Sequence, residues 1–287
     1  MMNPRPLCPC ESGKQVNKCC LRLVKGYWRT SCNITPAPPQ TNYANPRCFL
    51  SLTKDCSEKI SGEHYVTAGV LKEIDCIINL EGVPWIPEGE MKRVPVDSLT
   101  ANVLCDRHNR AFSPLDRIGI EFFRAVKQYS VAAYAGNERV SAFNGRDIER
   151  WMLKTLYGLL ASRTLQVQHG VRIKTDIDMR CVELLYDKVP FSPSRGLFVR
   201  TEPGHPVQTK RSLSVSPVTN DAKRTLNGLR LTIVGFDFLL TTSPVPAESS
   251  AFRPGYIVFS SSTGDKIIHL FWKDPGPHPV VPFVNRK

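Results

Sequence analysis

The sequence predicts an α+β protein in which a cysteine-rich, metal-bound N-terminal third leads into amphipathic helices and then a β-rich C-terminal region. Three observations carry this. Of the ten cysteines, five lie in the first 32 residues, four between 48 and 105, and only Cys181 beyond. Two capped, amphipathic stretches follow them. Beyond about residue 166, short β-branched and aromatic runs alternate with Pro, Gly and Ser. A length of 287 residues suits one or two domains plus a small appendage. The expected layout is a metal motif over 1–30, a Pro-rich linker over 31–44, a zinc-bound domain over 45–135, an amphipathic helix over 136–165 and a β-rich domain over 166–287.

The formal charge is +12, with 38 Lys and Arg against 26 Asp and Glu. An excess of this size, dispersed along the chain, favours a polyanionic partner, most often nucleic acid, with solubility alone as the bland alternative. The chain opens MMNPRPLCPCESGK without an apolar leader, and no window reaches the roughly 18 apolar residues of a membrane span. The expectation is a cytoplasmic protein with no membrane contact, where thiols stay reduced and clustered cysteines serve as metal ligands. No GxxxxGK[ST] loop supports ATP hydrolysis.

The first cluster, CPCESGKQVNKCC, places Cys8 and Cys10 with one residue between them and the adjacent pair Cys19 and Cys20 after eight more. A tight turn facing a helical turn can present four thiolates to one zinc. Gly13 permits the bend, and Lys14 and Lys18 offset the charge. These residues resemble the SEC-C motif, with Glu11 where that family usually has Gly. The resemblance implies a zinc-binding appendage that docks on a protein partner. After it, TPAPPQTNYANP, with Pro36, Pro38, Pro39 and Pro46, denies the backbone donors and disfavours helix.

In the second cluster, Cys48 and Cys56 precede GEHYV, and Cys105 and His108 form a CxxH knuckle inside SLTANVLCDRHNRAFSPLD. Together they suit a Cys3His zinc site, although a separation of eight positions between the first two is wider than usual. Cys76 is the spare ligand, its apolar flanks favouring a buried thiol. Glu63 and His64 lie between the ligands and Asn109 directly after them. A histidine can deprotonate water while a carboxylate and an amide oxygen hold Mg²⁺ against a scissile phosphate, the hard cation and the thiolate-bound zinc sorting by softness.

With their flanking cysteines, these residues resemble the HNH endonucleases, the His-Me finger or ββα-metal fold, over roughly 45–120. The resemblance implies an HNH-type endonuclease with His64 as general base and Glu63 and Asn109 as ligands of Mg²⁺ or Mn²⁺. It further implies structural zinc and DNA, or else RNA, as the partner. Phage defence or mobile-element biology would suit such a protein by analogy of domain company. The family's Asn five residues before the knuckle cysteine is Thr100 here, so that role falls to Asn102 or is absent. His108 is taken as a zinc ligand, the catalytic metal being its alternative. The competing expectation is a non-catalytic, zinc-stabilised adaptor that binds nucleic acid or protein.

The remaining elements follow from pattern. Ser113 at an N-cap, Pro114 at the first helical position and Asp116 three residues after Ser113 predict a helix with Ile118, Phe122, Ala125, Val126 and Tyr129 inward. Asn144 and Asp147 predict a second start, with Ile148, Trp151, Leu156, Leu159 and Leu160 inward. LRLTIVGFDFLL and YIVFSSSTGDKIIHLFW predict strands, the latter a hairpin around Gly264 and Asp265. Residues 202–224 are expected as a long exposed loop whose Lys210, Arg211, Lys223 and Arg224 suit phosphate contacts. Asp176 and Asp178 would share a strand face. His169, His205 and His278 have no partner at ligand spacing, and His269 is expected as a strand residue placed by pleat parity.

Overall fold

The computed structural model describes residues 31–75, 77–80, 86–87, 90–130, 140–164, 166–167, 171–172, 177–200, 213–220, 225–244, 251–260, 265–272 and 280–284. The architecture is mixed α+β. The expected zinc motif with Cys8, Cys10, Cys19 and Cys20 lies outside the described residues, as do Cys76, His169, Asp176, His205, His278 and the basic Lys210, Arg211, Lys223 and Arg224.

The Pro-rich stretch from Ser31 to Asn45 forms no helix or strand, as its prolines require. Hydrogen bonds nonetheless pin it along its length. The Cys32 N–H donates to both carboxylate oxygens of Asp147, at 3.2 and 3.1 Å. The Arg107 guanidinium donates to the carbonyls of Ala37 and Pro39, at 2.6 and 3.0 Å. The Thr41 N–H reaches Asp55 at 2.9 Å.

Strand β1 (Ile60–His64) is followed by helix α1 (Ala68–Ile74), the hairpin of β2 (Ile77–Leu80) and β3 (Lys92–Pro95), and then β4 (Thr100–Cys105). β1 and β4 pair antiparallel, Ile60 opposite Cys105 and His64 opposite Thr100. The register slips between Ser61 and Glu63. A bulge of this kind turns the strand, and Glu63 beyond it is buried whereas Gly62 is exposed.

β4 runs without a loop into α2 (Asp106–Ser130). This corrects the expected start at Ser113: Pro114 lies inside the helix, and Asp116 faces other partners instead of closing a capping box. Pro114 is exposed, and so is Arg110 one turn earlier. The carbonyl that Pro114 cannot bond therefore lies on a face where water can replace the missing donor. The apolar face Ile118, Phe122, Ala125, Val126 and Tyr129 is buried as its spacing predicts.

β5 (Val140–Asn144) leads into α3 (Gly145–Ala161), where the Asn144 side chain accepts from the Arg146 N–H. Every position of α3 from Asp147 to Leu159 is buried. The apolar stripe is present, but the polar face carrying Glu149, Arg150, Lys154 and Thr155 is enclosed as well. α2 and α3 approach closely at Gly119, where a Cβ would stand 2.2 Å from the Trp151 ring.

The ribbon of β6 (Gln166–Val167) and β7 (Val171–Arg172) precedes α4 (Met179–Leu185). Asp178, expected on a strand face, is instead the N-cap of α4, accepting from the Cys181 N–H at 2.8 Å. The chain continues through β8 (Gly196–Arg200), β9 (Leu213–Asn220), β10 (Thr225–Ile233), β11 (Phe236–Thr241), β12 (Ala251–Phe252), β13 (Tyr256–Ser260), β14 (Lys266–Phe271) and β15 (Val280–Val284). One sheet has the order β12-β8-β11-β10-β9 and the other β15-β13-β14-β5.

β9 overturns part of the expected loop 202–224. The alternation in LSVSPVTN suits a strand, and its Pro217 is tolerated because β9 is an edge. β10 and β11 turn through Val234 and Gly235, both at positive φ, as a two-residue hairpin demands. β13 and β14 form the expected antiparallel hairpin, while β5 joins β14 in parallel. One apolar cluster runs from Ile34 through residues of α1, α2, α3 and α4 to Leu270. Among the described residues, no helix is long and apolar enough to cross a membrane.

Candidate functional site

Cys48, Cys56, Cys105 and His108 are all buried, and their ligand atoms lie within 4.8 Å of one another. The wide spacing of the first pair is resolved by local folding. Ser51–Thr53 make a 3-10 turn, and Lys54 takes the left-handed conformation at φ 52°, which folds the loop back on itself. Cys105 ends β4 and His108 lies in the first turn of α2, so one strand-to-helix junction supplies the other two ligands.

The Nδ1 of His108 stands 3.1 Å from the Cys105 sulfur, 3.6 Å from Cys48 and 3.8 Å from Cys56. A tetrahedron with Zn–S near 2.3 Å and Zn–N near 2.0–2.1 Å has S–N edges of about 3.6 Å. The four side chains therefore could hold a metal ion such as zinc. The other imidazole nitrogen, Nε2, lies 3.3 Å from the Thr53 hydroxyl, which itself donates to the Leu50 carbonyl at 2.8 Å. Nε2–H donating to Thr53 leaves Nδ1 as the lone-pair side, the tautomer a metal needs. Hydrogen bonding with the Cys48 thiol drives the Cys105 thiol far down against burial, His108 assisting, while Cys48 is pushed up by the same pairing. The Ser57 N–H, 3.4 Å from the Cys105 sulfur, adds a further donor.

The residues read as catalytic occupy distinct surroundings. His64, at the end of β1, has its Nε2 buried with no hydrogen-bond partner among the described residues. Burial lowers its pKa, so the neutral ring is favoured. Asn109 lies one residue past His108 and donates to the Ser61 hydroxyl at 2.6 Å, leaving its carbonyl oxygen unpaired among the described residues. Asn102 is exposed on β4, two residues from the Thr100 that pairs with His64, and lines a cavity with Tyr43 and Arg47 whose walls do not include His64. Thr100, opposite His64, accepts through its backbone carbonyl from the Tyr65 hydroxyl at 3.1 Å.

Glu63 is engaged by a residue that sequence reasoning missed. The Lys154 ammonium of α3 lies 2.5 Å from Glu63 and 2.6 Å from Asp116, with side chains only 5 and 8% exposed for Lys154 and Glu63. Asp116 also accepts from the Thr67 hydroxyl at 2.7 Å, and Thr67 from the Trp151 indole at 2.9 Å. The network joins β1, the start of α1, α2 and α3. Burial pushes the Glu63 carboxyl up against the pull of Lys154. Burial pulls the Lys154 ammonium down, but Asp116 and Glu63 together outweigh it and its net direction is upward. A lysine three residues after the inward Trp151, next to the apolar stripe of α3, was the signal in the sequence.

His269 packs in β14 between the rings of Tyr256 and Phe271, at centroid distances of 4.1 and 3.7 Å, and burial pushes it down to about 3. That environment keeps it neutral and structural. No family model matches the chain, and no curated protein or solved structure shows a significant match to it.

Proposed function

We propose that the chain is an HNH-type endonuclease that hydrolyses phosphodiester bonds of DNA. One observation carries it: β1, ending in His64, lies antiparallel to β4, which passes through Cys105 directly into α2 with His108 and Asn109. A paired strand running into a helix beside a cluster that could hold zinc supports the ββα-metal reading, with α1, β2 and β3 inserted between the two strands. His64, held neutral by burial, is the general base that takes the proton of the attacking water. Asn109 is held by Ser61 with its oxygen free to serve as a cation ligand. Mg²⁺ or Mn²⁺, when bound, supplies neutralisation of charge at the phosphate and leaving oxygen. Glu63 does not fit that cation as it stands, because Lys154 already neutralises its carboxylate. The dispersed +12 charge suits a polyanionic substrate.

The same Lys154–Glu63 pairing favours a second reading, a zinc-stabilised adaptor that binds without cleaving. The two are separated by incubating plasmid, single-stranded DNA and RNA with the purified chain and Mg²⁺ or Mn²⁺. Endonuclease chemistry gives cleavage that falls by about 10²-fold or more in His64→Ala at unchanged zinc content. No cleavage of any substrate, or equal cleavage by His64→Ala, refutes it. The adaptor expectation is that His64→Ala leaves cellular function intact while Cys8→Ser abolishes it.

A further inference from the structure

A cavity of about 390 Å³ opens beside the metal centre, between the Tyr43–Arg47 segment, the Glu58–Ile60 entry to β1 and Asn102 of β4. Its walls are set by hydrogen bonds already made. Asn45, only 4% exposed, donates through its amide to the carbonyls of Ser57 and Glu58 at 3.1 and 2.9 Å. Its side-chain oxygen accepts from the Arg47 N–H at 3.0 Å. The Tyr43 carbonyl accepts from the N–H of Cys56, and the Asn45 carbonyl from that of Cys48, so the two segments that bring thiols to the cluster also frame the cavity.

The groups at the mouth are left over from this framework. Tyr43 is 40% exposed, among the large apolar side chains the described fold leaves in water. Arg47, Glu58 and Asn102 are exposed, with no side-chain hydrogen bond or ion pair among the described residues. An aromatic ring, an apolar floor at Ile60, a side-chain amide and a guanidinium around one concavity match the parts of a nucleotide. Stacking on an aromatic ring holds a base whatever its identity. An amide reads an adjacent donor and acceptor on a base edge, and arginine takes the phosphate. A base paired in a duplex cannot present its face to such a ring, whereas an unpaired one can.

We infer that this cavity is a subsite for one unpaired nucleotide of a single-stranded or locally opened nucleic acid, its base stacked on Tyr43 with the edge at Asn102 and its phosphate at Arg47. The inference rests on nucleic acid being the partner and does not require cleavage. Ile60 and His64 are four residues apart on β1, about 13 Å along the strand, or the rise of about four stacked nucleotides. A bound strand would thus be gripped a short distance from the nitrogen that activates water, and Asn102 would act as a base reader instead of orienting the histidine.

The test measures fluorescence anisotropy of a labelled twelve-nucleotide single strand of mixed sequence, and of its duplex, at low salt with no added divalent cation. Proteins carry His64→Ala so that cleavage cannot intervene. Tyr43→Ala is expected to weaken single-strand binding about tenfold, Tyr43→Phe to bind as before, and Asn102→Ala to lower affinity for some bases more than others, all with unchanged zinc content. Unchanged single-strand affinity in Tyr43→Ala, or equal losses in Tyr43→Phe and Tyr43→Ala, overturns the subsite. Duplex binding as tight as single-strand binding and equally dependent on Tyr43 also overturns it. Because the readout is binding on a His64→Ala background, absence of nuclease activity leaves the outcome unaffected.

Discussion

Replacing Lys154 by Met removes the cation that two carboxylates share and keeps most of the stem's volume. In the wild type the ammonium lies 2.5 Å from Glu63 and 2.6 Å from Asp116, inside a site where Glu63 is 8% and Asp116 22% exposed at the side chain. Removing one partner of a buried pair costs about 3–5 kcal/mol, because the other charge stays behind without compensation. Most of that falls on Glu63, since Asp116 keeps the Thr67 hydroxyl at 2.7 Å and some contact with water. The sign of the pH dependence follows from the directions of the shifts. Glu63 already titrates above the ordinary carboxylate range because it is buried. Its ionisation therefore weighs against the fold as pH rises, and loss of Lys154 moves it further up. Lys154, raised by its two carboxylates, keeps its stabilising charge until strongly alkaline pH. Urea unfolding should show a deficit of about 3–5 kcal/mol at pH 8 that shrinks toward pH 5 as Glu63 takes up a proton. Lys154→Met combined with Glu63→Gln should recover a large part of it. A deficit below about 1 kcal/mol at pH 8, a pH-independent deficit, or no recovery in the double variant would refute a charge-compensating role for Lys154.

Two further outcomes are expected. Cys56→Ser removes one thiolate from the Cys48–Cys56–Cys105–His108 set, so zinc per chain should fall by one against the wild type in metal analysis, and thermal unfolding should shift down; retention of the full zinc content would remove Cys56 from the ligand set. For His64, burial disfavours the imidazolium, so its folded pKa lies below the ordinary histidine value. The neutral, base-competent ring should persist as pH falls past 6.5. Cleavage should therefore stay level from pH 8 to below 6.5 before declining; a rate already halved above pH 7 would contradict the assignment.

The parts of the fold legible in the sequence were those set by local chemistry. Asn144 announces α3 because a short polar side chain before an apolar run satisfies a free N–H at the helix start. The Cys105–His108 knuckle could be recognised because three residues of helix bring two ligands to one side. Cys48 and Cys56 were named despite their spacing, though the 3-10 turn and the left-handed Lys54 that reconcile them left no clear mark. Pro114 misled because the same residue suits a first helical turn and an exposed position within a helix. The strand β9 was hidden by Pro217 and four polar residues, since edge strands carry the composition of loops. Lys154 was missed for a different reason. A buried charge becomes intelligible only when its partners are known, and Glu63 and Asp116 arrive from two other elements.

β5 immediately precedes α3, yet its partner in the sheet is β14, with Val140 opposite Ile267 and Asn144 opposite Phe271. On its other flank α3 buries Glu149 against the Leu197 N–H and the Arg253 guanidinium, each at 2.9 Å. The helix that supplies Lys154 to the neighbourhood of His64, with the strand that leads into it, is thus anchored in part by residues synthesised more than a hundred positions later, Arg253 and β14. A fragment ending after α3 would expose an unpaired strand edge and an uncompensated acid, so excising the first half for study or fusion should yield aggregate instead of a miniature protein. On the ribosome, β5 and α3 would gain the last of these anchors only after β14 has emerged.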